Sequence, residues 1–409
     1  MRRDPRDLYA TMRDDYGPVV PVVLDGGVFA WLVLGFNELQ EVLRPRPQWQ
    51  SDFSRDSRFW RPREGPIPKE WPLQVHTKWR RNAVFASGPE HRRLRGALIR
   101  ALGKVSTAAV RRLTMTTGDR LINEFIAHGQ ADLIRQYAAP LPLLTLMRLF
   151  GFPTEAEQQL LTAIPALLEC GDESREADQQ VMRIVAEHVA RRRKEPAADI
   201  TTWLIQDKEA ALDDTELCEQ IWLTINAGQG ATSVWIANVF EQLVSRRTVR
   251  HDMYAGWMDI EGALAATLWE RTPLANVIGR WATRDTHLGG RRIQDGDMLV
   301  LSLEGANTDP RLGSAAARTS FVSHNAGNLS WGGGAHECPG SAPTVARAIA
   351  QAAVECIWDR IPDVHLTDPD QPLDWGPSIM MRALRSLPVT FDPAKPRATS
   401  RRSTLPGGR

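Results

Sequence analysis

The stretch "NLSWGGGAHECPG", residues 328–340, places one cysteine in a glycine-rich loop. Three consecutive glycines precede His336 and Cys338, and an Ala-rich amphipathic segment that predicts a helix follows the loop. Glycine lets a backbone approach a flat, bulky group closely, and a helix N-terminus stabilises a thiolate. A thiolate on a loop that lies against a planar group is what a thiolate-ligated haem requires. On the residues alone, an ordinary glycine-rich turn around a buried cysteine is the alternative.

The pattern W-G-x-G-x-H-x-C-x-G over residues 331–340 resembles the haem-binding signature of cytochromes P450, with Trp331 in place of the usual Phe. The resemblance extends over most of the chain. It implies a mainly α fold with small β-sheets, the cytochrome P450 fold, in which a long central helix crosses a buried haem. It implies haem b (iron protoporphyrin IX) as the cofactor and Cys338 as the axial ligand of the haem iron. The glycines implied to belong to the haem-binding loop are Gly332, Gly334 and Gly340.

Three further stretches match the family at compatible positions. "GPEHRRLR" (88–95) resembles the helix whose His and Arg bind the haem propionates, and "IGRWATRD" (278–285) resembles a strand with another propionate-binding Arg. "ANTDP" (306–310) resembles the stretch before the meander. Two buried carboxylates need cationic or hydrogen-bonding partners. The resemblance therefore implies the propionate ligands His91, Arg95, Arg280 and His336.

The pattern before the cysteine loop predicts a β-rich start and a long helical middle. "VVPVVLDGGVFAWLVLG" (19–35) is typical of a hairpin with an Asp-Gly-Gly turn. The segment 45–80 is rich in Pro, Arg and Trp without clear periodicity, and the resemblance places it over the substrate pocket. From Gly88 to about residue 245 the pattern is helical, and its apolar final part predicts a buried helix across the core.

Composition excludes several classes of protein. The formal net charge of the 409-residue chain is +1, which gives no argument for binding nucleic acid or a membrane. No apolar run approaches the roughly 18 residues of a membrane-spanning helix, and the N-terminus lacks the apolar middle of a signal peptide, so we expect a cytoplasmic protein. Four scattered cysteines without a CxxC pair argue against a disulfide framework. We expect one cytochrome P450 domain over residues 1–391 and a disordered basic tail over 392–409.

The long helix departs from the family at the oxygen-binding face. P450 monooxygenases carry an acid–alcohol pair after Ala-Gly, and aligning Ala227 and Gly228 puts Gly230 at the acid and Ala231 at the alcohol. Neither side chain relays protons, and Thr232 lies about 100° further round a regular helix. The resemblance thus places a degenerate oxygen-side site at Gly228, Gly230, Ala231 and Thr232. A substrate hydroxyl or an ordered water would then deliver protons, or the enzyme would use peroxide or do different chemistry.

A second departure lies in the helix over 259–270. The family places Glu-x-x-Arg there, which braces the haem loop through an arginine of the meander, but no register of "TLWERTP" supplies both residues. This resembles an actinobacterial subgroup in which the motif is missing. Our hypothesis is that Glu270 pairs with a meander arginine such as Arg311 or Arg318. The alternative is that Glu270 is merely exposed to solvent.

The leading hypothesis is a haem-thiolate oxidoreductase, a monooxygenase or oxidative tailoring enzyme acting on a small organic substrate. Electrons would come from a ferredoxin and its NAD(P)H-dependent reductase, and basic residues near the thiolate would attract the acidic ferredoxin. The basic candidates are Arg92, Arg93, Arg100 and Arg347. The alternative is a haem-binding protein with altered catalysis that acts as a sensor or a protein partner. A Cys-nucleophile hydrolase is a third possibility, supported only by the closeness of His336 to Cys338.

Overall fold

The computed structural model describes residues 5–44, 52–63, 65, 71, 73–167, 172–313, 327–376 and 378–397. Helices carry most of these residues, and three small sheets carry the strands. The helices are α1 (Pro5–Tyr16), α2 (Phe36–Leu43), α3 (Gln74–Thr77), α4 (Gly88–Gly103), α5 (Thr107–Phe125), α6 (Pro140–Phe150), α7 (Thr154–Ala166), α8 (Asp172–Lys194), α9 (Ile200–Ile205), α10 (Asp214–Ser245), α11 (Arg247–Tyr254), α12 (Ile260–Glu270), α13 (Leu303–Asn307) and α14 (Ala342–Arg360). The strands are β1 (Val19–Leu24), β2 (Val28–Val33), β3 (Phe53–Ser54), β4 (Gln130–Asp132), β5 (Asn276–Ala282), β6 (Thr286–Leu288), β7 (Arg291–Ile293), β8 (Met298–Ser302), β9 (His365–Leu366) and β10 (Pro388–Thr390).

Helix α10 is the predicted long central helix, with 32 residues. It begins at a capping box: the Asp213 carboxylate accepts the Glu216 N–H at 2.9 Å, and the Glu216 carboxylate accepts the Asp213 N–H at 3.2 Å. Its middle is buried on nearly all sides between α6, α8, α12 and α14. A helix that is apolar around its circumference stays inside a protein, which is why this one crosses the core.

The largest sheet has the strand order β1-β2-β8-β5-β3. The predicted hairpin is confirmed, since β1 and β2 pair antiparallel from Val19 opposite Val33 to Leu24 opposite Val28. Its turn contains Gly26 at φ +80°, a left-handed conformation that glycine adopts without strain. Strand β8 lies parallel to β2 and antiparallel to β5, and the register between β5 and β8 shifts at Gly279.

Part of the tryptophan-rich segment packs on the large sheet, and its place over the substrate pocket stays a prediction. Trp60 lies 5.1 Å from Trp71 and 6.2 Å from Trp281, ring centroid to ring centroid, on the face of the large sheet. Trp49 is outside the described residues. Large apolar rings are held here because the sheet offers an apolar face to bury them.

The end of the chain was expected to be a disordered tail. Residues 392–397 run beside α5, where the Ala394 N–H donates to the Ile126 carbonyl at 3.2 Å and Arg397 pairs with Asp359 at 2.8 Å. Residues 398–409 lie outside the described part of the chain, so the disordered tail stays a prediction. In the part that the structure describes, no helix is both long and apolar enough to cross a bilayer.

Candidate functional site

A cavity of about 340 Å³ lies between α10, α4, β5 and the cysteine loop. Its wall is mostly apolar, and Cys338 and a group of basic side chains also line it. One face of α10 forms part of this wall, and its lining residues recur three or four positions apart. Those residues are Leu223, Thr224, Ala227, Gly228, Ala231, Thr232 and Trp235.

The cysteine loop is held by its own backbone. The Cys338 N–H donates to the Trp331 carbonyl at 2.8 Å, and a short 3₁₀ turn runs from Gly334 to His336. Cys338 lines the cavity, and so does Gly332, whose φ of +75° suits glycine. Burial raises the pKa of the Cys338 thiol to about 11, with the charge of Arg95 acting in the opposite direction. A metal ion bound at the sulfur would reverse that balance, because a coordinating thiol is deprotonated.

The other two predicted loop glycines face protein and not the cavity. A Cβ on Gly334 would come within 1.9 Å of the Leu43 carbonyl oxygen, so this glycine lets the loop sit directly on the end of α2. A Cβ on Gly340 would meet Ile99 of α4 at 3.2 Å. These glycines shape the loop through packing and through positive φ values of +66° and +48°.

The four predicted propionate ligands meet at one end of the cavity. The rings of His91 and His336 lie 4.1 Å apart, centroid to centroid. Arg95 reaches from α4 to donate to the Glu337 carbonyl at 2.5 Å, and Arg280 enters from β5. The sequence separates these side chains by up to 245 positions, and the fold brings them together.

This end of the cavity is built for an anion. Burial and the neighbouring arginine charges lower the pKa of His91 to about 4, and the same causes depress the pKa of His336. Burial lowers the pKa of Arg280 well below its usual value, and the nearby charge of Arg55 adds to that effect. Among the described residues that line the cavity, Glu337 is the one acidic side chain, and it is exposed. Buried cations without carboxylate partners fit a ligand that brings its own, such as the two propionates of haem.

The oxygen-side residues divide between two faces of α10. Gly228, Ala231 and Thr232 line the cavity, whereas Gly230 turns away from it. A Cβ on Gly230 would lie 2.8 Å from the terminal methyl of Met381, so this methionine occupies the space beside the position of the family's acid. Thr232 is 3% exposed and brings a hydroxyl to the cavity wall without any bulge in the helix.

The predicted brace by Glu270 is wrong for Arg311. Glu270 lies 3.3 Å from Arg246 of the α10 terminus, while Arg311 pairs with Glu38 and Asp309, both at 2.7 Å. Arg311 is taken up by these two nearer carboxylates, which lie on its own side of α13. Arg318 lies outside the described residues.

A neutral hydrogen-bond cluster joins the cysteine loop to α12 instead. Asn307 is fully buried, and its Nδ2 lies 3.0 Å from Thr272 Oγ1, 3.3 Å from the Leu268 carbonyl and 3.4 Å from Ser330 Oγ. Its Oδ1 accepts the Leu329 N–H at 2.8 Å. The Ser330 hydroxyl donates to the Leu268 carbonyl at 2.8 Å. The cluster therefore links the cysteine loop to α12 through neutral groups alone.

Sequence reasoning missed three contributors to the site. Arg55 lines the cavity from the segment after β3, Trp235 packs edge-on against Trp331 at 5.7 Å, and Asn307 anchors the loop. "ANTDP" had drawn attention to Asn307 only as a resemblance. No sequence pattern pointed to Arg55 or Trp235, because their partners are distant in sequence.

The chain is similar to bacterial cytochromes P450 over almost its whole length. It is 26% identical to Cytochrome P450 107B1 of Saccharopolyspora erythraea, covering 95% of both chains, and 27% identical to the mycinamicin IV hydroxylase/epoxidase of Micromonospora griseorubida, covering 91% of this chain and 92% of that one. The solved structure of CYP154A1 from Streptomyces coelicolor matches with a TM-score of 0.81 at 26% identity, covering 95% of this chain and 98% of that one. No protein-family model matches the chain.

Proposed function

We propose that this chain, which belongs to the cytochrome P450 family, inserts oxygen into a small and largely apolar organic substrate. It is a haem-thiolate oxidoreductase of the monooxygenase type, with haem b as its cofactor. The observation that carries the proposal is the cavity, which is lined by Cys338, by a cationic cluster and by an apolar face of α10. The names of the relatives give no support to the alternative of a sensor.

Different residues of the cavity would bind the iron and the propionates of haem. Cys338 would bind the haem iron, and Arg95, Arg280, His91 and His336 would hold the propionates. Each imidazole would offer a ring N–H to a carboxylate. Bound haem supplies the one-electron and dioxygen chemistry, and the protein supplies binding, orientation and electrostatics.

Thr232 is our candidate for proton delivery on the oxygen side. With glycine and alanine at the positions of the family's acid and alcohol, its hydroxyl is the polar group of this turn that lines the cavity. Thr224 lies eight residues earlier on the same face of α10, and its hydroxyl donates to the Gln220 carbonyl at 2.8 Å. Thr232 would pass a proton by way of substrate or ordered water.

The residues that line the cavity indicate which class of substrate it accepts. The cavity face on α10 is apolar apart from two threonine hydroxyls, and no carboxylate other than the exposed Glu337 lines the cavity among the described residues. A cavity of this character favours an uncharged molecule that buries hydrocarbon and offers few polar groups. The relative from Micromonospora griseorubida is named for mycinamicin IV, and natural products of that general kind are the first compounds to screen.

Electron supply by a ferredoxin and its NAD(P)H-dependent reductase is part of the proposal. Of the four basic candidates, Arg93 pairs with Glu216 at 2.5 Å and Arg100 pairs with Asp207 at 2.7 Å, so their charges are already matched. Arg92 and Arg347 are exposed on α4 and α14, the two helices that flank the cysteine loop. A cytoplasmic location stays a prediction.

A charge-reversal experiment tests the docking face. Arg92→Glu and Arg347→Glu should each slow reduction by ferredoxin at low salt, and the difference from wild type should shrink as salt screens the charges. Arg183→Glu, on the exposed side of α8, is the control and should leave the rate unchanged. Equal rates for all four proteins would remove this face from the proposal.

Two measurements test the function itself. The carbon monoxide difference spectrum of the reduced protein should show the red-shifted Soret band of thiolate ligation. Turnover with ferredoxin, reductase and a panel of apolar compounds should then give oxygenated product. A thiolate-type spectrum without product from any compound that shifts the spin state would keep the cofactor and reject the proposed oxygen insertion.

A further inference from the structure

Arg55 is a third arginine at the anionic end of the cavity, in addition to Arg95 and Arg280. It comes from the segment after β3, which the sequence did not connect with the cofactor. Its charge is near enough to Arg280 to lower the pKa of that residue further, in addition to the effect of burial. Its position therefore belongs to the same cluster.

The backbone of β5 is shaped to hold this side chain. Arg55 Nη1 donates to the Ile278 carbonyl at 2.8 Å and to the Gly279 carbonyl at 2.7 Å. Gly279 is the extra residue where the pairing of β5 with β8 shifts, and such a bulge turns backbone groups out of the ladder. Its φ of +97° favours glycine, and a Cβ there would lie 3.2 Å from Arg55 Nη1 and 2.8 Å from the Trp281 ring.

Among the described residues, no carboxylate forms an ion pair with Arg55, whose hydrogen bonds go to backbone carbonyls. Carbonyl oxygens accept its hydrogen bonds, but they leave the positive charge uncancelled. Burial lowers the pKa of Arg55 to about 10, which reflects the cost of keeping this guanidinium charged away from water. An anion in the cavity would offset that cost.

We infer that Arg55 is a third guanidinium for the haem carboxylates, so that the cluster carries one positive charge more than the two propionates neutralise. The inference rests on the proposed function, since it needs haem in this cavity. The surplus charge stabilises the reduced iron, which carries one positive charge less than the oxidised iron, and it keeps the propionates ionised. Arg55 is thus a positioning and tuning residue that acts on the cofactor.

A purely structural role is the competing explanation, because the two carbonyl bonds also tie the β3 segment to β5. Two substitutions separate charge from hydrogen bonding. Arg55→Gln removes the charge but keeps an N–H donor for the carbonyls, and Arg55→Lys keeps the charge. Arg58→Gln is the matched control, since Arg58 lies in the same segment, pairs with Asp56 at 2.6 Å and is 63% exposed.

The first readout is the reduction potential of the haem protein, measured by spectroelectrochemistry. Arg55→Gln should lower the equilibrium constant for reduction by about tenfold, which is about 59 mV for a one-electron couple. Arg55→Lys and Arg58→Gln should stay within about twofold of wild type. An unchanged potential in Arg55→Gln, or an equal fall in Arg55→Lys, would overturn the inference.

The second readout is the pH at which haem dissociates on acidification. Loss of a cation raises the pKa of the propionates, so Arg55→Gln should lose haem at a higher pH than wild type and Arg58→Gln should not. If Arg55→Gln fails to retain haem, the propionate bending band in the resonance Raman spectrum of Arg55→Lys decides the matter. A shift of that band supports contact with a propionate, and a band identical to wild type rejects it.

Failure of this inference and failure of the proposed function give different results. A protein without thiolate ligation in its carbon monoxide spectrum would remove the proposed function. A protein with that spectrum whose Arg55 variants match the control would reject the role of Arg55 alone.

Discussion

The cysteine loop and the oxygen-side turn of α10 face each other across one cavity, yet only the loop keeps the residues of its family. The loop has its cysteine, its histidine and its glycines, and a buried hydrogen-bond cluster holds it to α12. The turn of α10 has Gly230 and Ala231 where an acid and an alcohol are usual. The difference indicates that binding haem and delivering protons are separable tasks. A ligand to iron must be supplied by the chain, whereas a proton can come from a neighbouring hydroxyl, the substrate or water.

Removing the iron ligand should have the largest effect. Cys338→Ser replaces a thiolate by a hydroxyl that stays protonated near pH 7, so the thiolate-type carbon monoxide band should disappear and bound haem should fall. Cys218→Ser, at a buried cysteine away from the cavity, is the control and should keep the band. A surviving thiolate band in Cys338→Ser would show that another residue ligates the iron.

The opposite side of the cavity is tested at Thr232. Thr232→Val keeps the shape and removes the hydroxyl, so the yield of product per electron pair should fall by about 10²-fold, the low end for a positioned proton donor. Thr224→Val is the matched control, because it removes a cavity-lining hydroxyl that is already bonded to the Gln220 carbonyl. Comparable yields from the two variants would mean that α10 contributes no proton donor.

The neutral brace of the loop should have an intermediate effect. Asn307→Leu strands the buried Leu329 N–H, which costs about 1–3 kcal/mol in the free energy of unfolding, and should speed haem release. Both are measured by thermal unfolding and by transfer of haem to an acceptor protein. Glu270→Ala removes a partly exposed ion pair with Arg246, worth about 0–1 kcal/mol, and should keep haem content unchanged. Faster haem release from Glu270→Ala than from Asn307→Leu would show that Glu270, and not Asn307, holds the cysteine loop in place.

We expect the smallest effect at Pro339, which directly follows Cys338. Pro339 has no N–H, and in the family the amides just after the cysteine point toward its sulfur. Pro339→Ala should add one donor, stabilise the thiolate by about 0.5–1.5 kcal/mol and raise the reduction potential by a corresponding amount. Pro343→Ala adds an N–H in the first turn of α14 and should leave the potential unchanged. A lower or unchanged potential in Pro339→Ala would contradict this account of the loop.

Much of the fold was predictable because its signals are local. The hairpin of β1 and β2 follows from two β-rich runs around an Asp-Gly-Gly turn, and α10 follows from a long apolar run after an N-capping aspartate. The cysteine loop was recognisable because a ligand, its glycines and a helix start must stand at short, fixed spacings. Each of these features is decided by residues within about one element of each other.

The brace and the tryptophan-rich segment were not predictable in the same way. Glu270 had an acidic side chain and a suitable helix, but its partner Arg246 lies 24 positions earlier and meets it only because α10 and α12 pack together. Trp60 and Trp71 had no periodicity to show that the face of a sheet would bury them. Such choices depend on which surfaces the completed fold places side by side.

The sequence by itself indicated the cofactor class, the hairpin and the central helix, and it predicted Cys338 as the iron ligand, since those depend on short spacings and local periodicity. Only the tertiary structure decided that Arg55 joins the cations at one end of the cavity, which polar groups brace the loop and what fills the space beside Gly230. Arg55 meets the carbonyls of β5 across 223 and 224 positions, and Met381 lies beside Gly230 although 151 positions separate them. Contacts of that range carry no local pattern, because their energy exists only after the elements that carry them have packed.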